Sequence, residues 1–140
     1  MTLISYQHGV YQNIFHVVLV TKYRYQMMQK EKYKLAVRQA IEEVAYNQGI
    51  RIIEMSVMND HVHAVIDCHP TMSQALAIQL LKGASARALF QHYPNLRLRY
   101  PRGHFWSAGK CGRSVGDVDQ ETVIDYVRKQ AGQATLADFH

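Results

Sequence analysis

The sequence has few cysteines and no apolar stretch long enough to cross a membrane. Cys68 and Cys111 are the only two cysteines in 140 residues, and they lie too far apart to form a paired-thiol motif for zinc or redox chemistry. So few cysteines are typical of a reducing compartment, and we expect a cytoplasmic protein. The N-terminal apolar run Ile14–Val20 is too short for a transmembrane helix, and its positive charges follow it, so we expect no export signal.

Acidic residues are absent from two long stretches, 1–30 and 68–116, although the chain has 11 of them against 16 lysines and arginines. Clustered positive charge favours phosphate binding through the release of counterions. The distribution therefore predicts one basic face for a polyanion, although a solvated basic surface with no partner gives the same pattern. The basic residues of the two stretches are Lys22, Arg24, Lys30, Lys82, Arg87, Arg97, Arg99, Arg102, Lys110 and Arg113.

The length and the 48% hydrophobic content predict a single domain over residues 1–140. Hydrophobic periodicity and turn residues predict an α+β fold of the ferredoxin-like, split βαβ type, with an antiparallel sheet, helices packed on it and an appended C-terminal helix. In chain order the predicted elements are a strand at Ile14–Val20, a helix at Glu31–Gln48, strands at Ile50–Met58 and His61–Cys68, a helix from a Thr71 cap to Phe90, a strand at Phe105–Trp106, and a helix from an Asp119 cap to about Ala131.

A glycine-rich segment precedes the final helix. Four of the eight glycines lie within residues 103–116, and glycine adopts more backbone conformations than any other residue. We expect this segment to act as an internal hinge.

Two histidines begin the second strand of the predicted hairpin. Alternation along a strand places His61 and His63 on one face, with backbones roughly 6.5 to 7 Å apart, so both rings can reach one ion. The spacing by itself is weak support, because two exposed histidines on a sheet face have the same spacing. Their position directly after the Asn59-Asp60 turn favours a metal or phosphate site.

A tyrosine and a glutamine lie on one side of the predicted final helix. Tyr126 and Gln130 are four residues apart and fall beside the apolar stripe that includes Val123 and Val127. The tyrosine ring can therefore pack partly while its hydroxyl faces a cleft, although ordinary amphipathic packing explains a tyrosine at the edge of a helix as well. The neighbouring Arg128 can contact phosphate or serve only to solvate the helix end.

Together these side chains suggest phosphodiester chemistry. A phenol is a weak nucleophile at neutral pH, but a metal ion that polarises a phosphodiester makes its attack feasible. The product is a phosphotyrosine that conserves the energy of the broken bond, so a strand can be cut and rejoined without a nucleotide cofactor. The sequence contains no P-loop, which is consistent with this scheme.

Several ordered blocks resemble the single-tyrosine HUH transposases, small enzymes that move insertion sequences as single-stranded DNA; HUH denotes two histidines flanking a hydrophobic residue. The likeness covers nearly the whole chain. The blocks are His16–Arg24, Asp60–His63, Leu81–Arg87, Phe105–Ser107, Ser114–Gly116 and Glu121–Val123, followed by Tyr126 and Gln130. In one place the chain departs from many relatives, which carry aromatic residues where it has Ala108–Gly112.

The resemblance implies a role for each matching residue. His61, His63 and Gln130 would bind a divalent ion, Mg²⁺ or Mn²⁺, and Tyr126 would become joined to a 5′ phosphate of DNA. The substrates would be single-stranded, hairpin-forming element ends. The positive charge and the helical positions of Lys82, Arg87 and Arg128 make them candidate DNA contacts. The family is dimeric, so we expect a homodimer in which the tyrosine helix can complete the partner's histidine site.

Three alternatives remain open at this point. His16 either supports the site by hydrogen bonding or is an ordinary core histidine. The split βαβ plan also serves non-catalytic modules that bind single-stranded nucleic acid on the sheet surface. A domesticated HUH nuclease that serves its host would have the same sequence features as a transposase.

Overall fold

The computed structural model describes residues 13–109, the backbone of 111–114, and residues 122–129. Its strands are β1 (Ile14–Val20), β2 (Arg51–Val57), β3 (His61–Asp67) and β4 (Cys111–Ser114). Its helices are α1 (Glu31–Asn47), α2 (Gln74–His92) and α3 (122–129), and short 3-10 turns lie at Lys22–Arg24, Met27–Gln29 and Pro94–Leu98.

The four strands form one antiparallel sheet in the order β2-β3-β1-β4. Because β3 runs antiparallel to both β1 and β2, the first two strands are parallel with β3 inserted between them. This is the split βαβ arrangement, and the ferredoxin-like fold predicted from the sequence is confirmed.

The two faces of the sheet carry different helices. The face that includes Val17, Leu19 and Ala64 belongs to the main core, which α1 and α2 complete through residues such as Ile41 and Leu81. On the opposite face a smaller apolar cluster joins the sheet to α3; its members are Ile14, Val65, Val123 and Val127, with Ile53 and Ile124 packed against them. The sheet thus separates α3 from the other two helices.

Local sequence signals explain where α1 and α2 begin and end. α1 closes before Gly49, whose φ of +71° is the left-handed conformation that favours glycine. α2 begins after Ser73, whose hydroxyl accepts a hydrogen bond from the Leu76 amide at 3.0 Å. The prediction that Thr71 caps this helix was wrong by two residues, because Ser73 is the residue with extended backbone and a bonded cap.

The last strand lies later in the chain than predicted. Phe105 and Trp106 are buried in the core, and Trp106 forms only an isolated bridge with Thr21, while its indole N–H donates to the Ser85 hydroxyl at 2.9 Å. The edge strand is β4, inside the segment predicted as a hinge; Gly116 and the predicted cap Asp119 lie outside the described residues.

No helix among the described residues has the length and apolar character needed to span a membrane. Cys68 is fully buried, and burial raises the pKa of its thiol to about 12. A thiol of this kind is unreactive, in keeping with the absence of a predicted role for it.

Candidate active site

The sheet register places His61 and His63 side by side on the face that α3 covers. His61 pairs with Val20 of β1, and His63 pairs with Val18 and with Ser56 of β2. The two imidazole centroids are 4.8 Å apart with nearly perpendicular planes. The predicted arrangement of two rings on one strand face is therefore present.

Asp60, the residue before β3, fixes the orientation of the His61 ring. Its Oδ1 lies 2.7 Å from Nδ1 of His61, and its Oδ2 accepts a hydrogen bond from Nε of Arg24 at 3.2 Å. Burial acts to raise the pKa of Asp60, but the hydrogen bond and charge of His61, together with Arg24, outweigh it and leave the pKa below its ordinary value. The ionised carboxylate only accepts, so Nδ1 of His61 carries a hydrogen, and in the neutral form of the ring Nε2 presents a lone pair.

His16 of β1 lies behind His63. Nε2 of His16 is 3.2 Å from Nδ1 of His63, and the rings are stacked with centroids 5.4 Å apart. If Nδ1 of His63 donates this hydrogen bond, its Nε2 also presents a lone pair. Burial, followed by the charges of His61 and His16, lowers the pKa of His63 to about 4. The ring is thus neutral at physiological pH, which is the form that binds a metal ion.

The lowered pKa of His63 predicts a pH dependence of stability in chelator-treated protein. Between its ordinary value of 6.5 and about 4, the unfolded chain takes up a proton that the folded chain does not. The free energy of unfolding should therefore fall as the pH drops through this window. Urea denaturation of wild type and His63→Gln at a series of pH values measures it: the variant should show the shallower dependence, and identical dependences would contradict the assignment.

Tyr126 lies above the histidines on α3. Its ring centroid is 6.0 Å from that of His63 and 6.2 Å from that of His16, edge to face in both cases. Val123 and Val127 of the same helix are buried, which turns Tyr126 to the side of the apolar stripe as the helical periodicity predicted. Tyr126 is 50% exposed, so the helix does not bury it against the sheet.

Two polar contacts hold α3 to β2. The buried Ser56 hydroxyl donates to the Val127 carbonyl, and the Arg128 guanidinium pairs with Glu54 at 3.0 Å. The Asp125 carboxylate also lies near this guanidinium, at 3.9 Å. Arg128, a candidate DNA contact, thus has two carboxylates beside it and acts here to anchor the helix.

The donor set suits a divalent ion that needs further ligands. Among the residues described here, no three histidine, cysteine or acidic side chains converge so that they could hold a metal, and Gln130, the predicted third ligand, lies outside them. His61 nevertheless has the carboxylate partner that metal-binding histidines commonly have. Two neighbouring imidazoles with one fixed tautomer therefore fit a metal site that an amide oxygen and DNA oxygens would complete.

Lys82 and Arg87 are on α2, across the sheet from the histidines. They line a cavity of about 380 Å³ together with Arg97, His104 and the edge of Phe90, and the Lys82 ammonium donates to the Gly109 carbonyl at 2.6 Å. The structure therefore does not bring these two candidate DNA contacts to the tyrosine. They belong to a separate basic groove.

Three contributors to the site were missed or left open by the sequence reasoning. Asp60 belongs to the predicted turn and to the Asp60–His63 block but has no predicted role, although a carboxylate directly before a candidate ligand is a signal for one. Arg24 reaches Asp60 from a distant part of the chain, and no local pattern predicts this contact. His16, for which both a supporting and a core role were open, is buried and lies within hydrogen-bond distance of His63.

A split βαβ sheet that carries paired histidines beneath a tyrosine-bearing helix is the arrangement that the resemblance to small transposases led us to expect. The comparison of the sequence with protein families agrees: the family described as "Transposase IS200 like" matches residues 9–130. The chain belongs to this family of transposases, and it is a DNA-processing enzyme.

Individual relatives and solved structures agree with this assignment. The ISDra2 transposase TnpA of Deinococcus radiodurans is 31% identical over 86% of each chain. The transposase for insertion sequence element IS200 of Salmonella typhimurium is 29% identical over 96% of this chain and 87% of its own.

Two solved structures share the fold. A crystal structure described as that of a transposase from Deinococcus radiodurans R1 has a TM-score of 0.68 at 27% identity, covering 86% of this chain and 92% of that one. A REP-associated tyrosine transposase, solved bound to a REP hairpin, has a TM-score of 0.60 at 12% identity and covers 84% of this chain and 66% of its own. The second likeness concerns the fold alone.

Proposed function

We propose that this protein is a metal-dependent transposase that cuts single-stranded element ends by attack of Tyr126 and later rejoins the strands. The observation that carries the proposal is the position of the Tyr126 ring, 6.0 Å from His63, on the sheet face that presents His61 and His63. A nucleophile and a pair of metal-ligand side chains on one face are the two parts that the reaction needs.

His61 and His63 would hold the metal ion through Nε2, with Gln130 as the proposed third protein ligand. The ion, Mg²⁺ or Mn²⁺, would polarise the scissile phosphate and offset its charge. Imidazole suits Mn²⁺ better than Mg²⁺, which prefers oxygen ligands. Asp60 would keep Nε2 of the neutral His61 ring free for the ion, and a hydrogen bond donated by Nδ1 of His63 to His16 would do the same for His63.

Cleavage would form one bond and break another. The Tyr126 oxygen attacks phosphorus, and the bond from phosphorus to the 3′ oxygen breaks. The fragment that ends in this 3′ oxygen leaves with a free hydroxyl after the oxygen takes up a proton. The half-exposed phenol releases its own proton to solvent. The phosphate at the 5′ end of the other fragment stays on Tyr126 as a diester. A 3′ hydroxyl of another strand can attack this phosphate. The bond from phosphorus to the Tyr126 oxygen then breaks, the phenol takes up a proton, and a DNA backbone is restored with no nucleotide cofactor.

Hairpin-forming DNA ends are the proposed substrate. The structural relative that was solved bound to a REP hairpin supports this choice of substrate, and the groove beside α2 carries Lys82, Arg87 and Arg97 in one place. Phosphate contacts in this groove would position the DNA without reading its sequence. The active site on the opposite face would then receive the adjoining single strand.

Neutralising Arg87 tests the groove. Arg87→Gln should weaken DNA binding by a similar factor for all sequences and reduce the slope of log affinity against log salt by about 1. Fluorescence anisotropy over a salt series measures both quantities. Lys34→Gln, which removes one positive charge from α1, is the matched control and should leave the slope unchanged; equal slopes in all three proteins would exclude Arg87 as a phosphate contact.

We also propose that the active form is a homodimer. One domain of this size has little surface for holding two DNA ends at once, and two copies would supply it. In the described chain α3 covers the histidines of its own sheet, so an exchange of α3 between subunits would require breaking the Ser56 and Glu54 contacts.

Covalent trapping tests the proposal as a whole. Purified protein with Mn²⁺ is incubated with labelled single-stranded oligonucleotides tiled across the DNA that flanks its gene. We expect an adduct that survives denaturing electrophoresis and disappears with EDTA. Metal-independent binding without any adduct would contradict the proposal and favour a non-catalytic binding module.

A further inference from the structure

The loop that follows β1 has an unusual backbone. Tyr23 and Arg24 are consecutive and have φ values of +63° and +53°, and they are the positive-φ residues other than glycine among those described. A side chain with a Cβ atom disfavours this conformation, so it persists only where the surroundings enforce it. Such strain is common where a side chain is held ready for a ligand.

The loop is fastened to the turn that precedes His61. Thr21 is fully buried; its amide donates to the Asp60 carbonyl at 3.0 Å, and its hydroxyl donates to the Tyr25 carbonyl at 2.7 Å. Arg24 adds its hydrogen bond to the Asp60 carboxylate. Asp60 therefore connects the loop to the candidate metal site through a continuous series of short contacts.

The loop, held by these hydrogen bonds, presents the aromatic ring of Tyr23 at the surface. Tyr23 is 58% exposed, and its ring lies 5.3 Å from that of Tyr25. Tyr25 in turn packs against the buried Tyr100 at 5.3 Å. The three rings form a series from the core to the surface, and the outermost, Tyr23, is the most exposed of them.

Positive charge surrounds these rings. The Lys22 ammonium is 5.5 Å from the Tyr23 centroid, the Arg99 guanidinium is 4.4 Å from the Tyr25 centroid, and the Arg24 side chain is itself 68% exposed. An aromatic face bordered by cations is suited to a base stacked on the ring with its phosphates beside it. A protein partner would more typically meet a larger apolar patch with less charge.

We propose that Tyr23 is a stacking platform for an unpaired base of the DNA strand whose phosphate would be held at His61 and His63. Lys22 and Arg99 would contact the flanking phosphates. The identity of that strand rests on the proposed function, whereas the platform itself rests on the loop geometry.

The variant Tyr23→Gly separates ligand binding from folding. Glycine adopts positive φ freely, so the variant should unfold at the same or a higher temperature than wild type. Loss of the stacking ring should nevertheless weaken binding of a short single-stranded oligonucleotide by about 5- to 150-fold, the range expected for one stacked base. Tyr23→Phe should bind nearly as wild type does, and Tyr46→Ala, which removes an exposed tyrosine from α1, should have no effect.

A second measurement identifies the ligand as a base. Abasic sites are placed one at a time along the oligonucleotide, and binding is measured by anisotropy in EDTA with Tyr126→Phe as the background. At one position the abasic site should weaken binding to the wild-type loop and have no further effect on Tyr23→Gly, because the two changes remove the same contact. Additive losses at every position, or Tyr23→Gly affinity within about twofold of the background protein, would overturn the proposal.

The binding test of Tyr23 and the adduct test of the proposed function can succeed or fail separately. An adduct in wild type with no binding defect in Tyr23→Gly would reject the platform and keep the proposed function. A binding defect in Tyr23→Gly without any adduct in wild type would keep the platform and reject the transposase reaction as written.

Discussion

Tyr126→Phe should form no detectable covalent adduct with single-stranded DNA while binding that DNA as tightly as wild type. The substitution removes only the phenolic oxygen, and the ring contacts with His63 and His16 can remain. Val123 and Val127, which attach α3 to the sheet, are untouched. Denaturing electrophoresis measures the adduct, and anisotropy measures the binding.

The matched control is another exposed tyrosine. Tyr46 is 86% exposed on α1, across the sheet from the histidines, so Tyr46→Phe should form the adduct at the wild-type rate. If Tyr126→Phe still forms an adduct, a different residue is the nucleophile, and the role assigned to α3 is wrong.

His63→Ala should reduce Mn²⁺ binding below detection and abolish the adduct together with it. The variant removes one of the two imidazoles that present lone pairs on the same face. Asp60→Asn, which keeps both ligands but replaces the ionised acceptor of the His61 N–H, should bind Mn²⁺ about 10- to 100-fold more weakly than wild type. Isothermal titration calorimetry gives both affinities.

The histidine control lies outside the site. His92, at the end of α2, is on the other side of the sheet, and His92→Ala should bind Mn²⁺ as wild type does. Wild-type affinity in His63→Ala would show that the metal, if bound, is held elsewhere. Unchanged affinity in Asp60→Asn would show that the carboxylate has no part in orienting His61.

Much of the fold and part of the site follow from local pattern. The β-branched run at Ile14–Val20 and the Asn59-Asp60 turn predict β1 and the hairpin, because alternation and turn chemistry act over a few residues. The same alternation predicts that His61 and His63 share a face. The helical stripe of Val123 and Val127 predicts the orientation of Tyr126 before any tertiary contact is known.

The rest depends on contacts between distant segments. Phe105 and Trp106 have the composition of a strand, but burial against α2 competes with strand pairing, and β4 forms later at Cys111–Ser114. Charge alone made Lys82 and Arg87 candidate DNA contacts, but it does not predict that α2 places them on the face of the sheet opposite the histidines. Arg24 contacts Asp60 across 36 positions of sequence, which no periodicity reveals.

The central claim is that Tyr126 is the residue that becomes joined to DNA. Digestion of the trapped adduct with protease and nuclease, followed by tandem mass spectrometry, locates the modified residue and the nucleotide attached to it. We predict one peptide that carries a nucleotide linked through its 5′ phosphate to Tyr126. A nucleotide on any other side chain, or one linked through a 3′ phosphate, would contradict the mechanism.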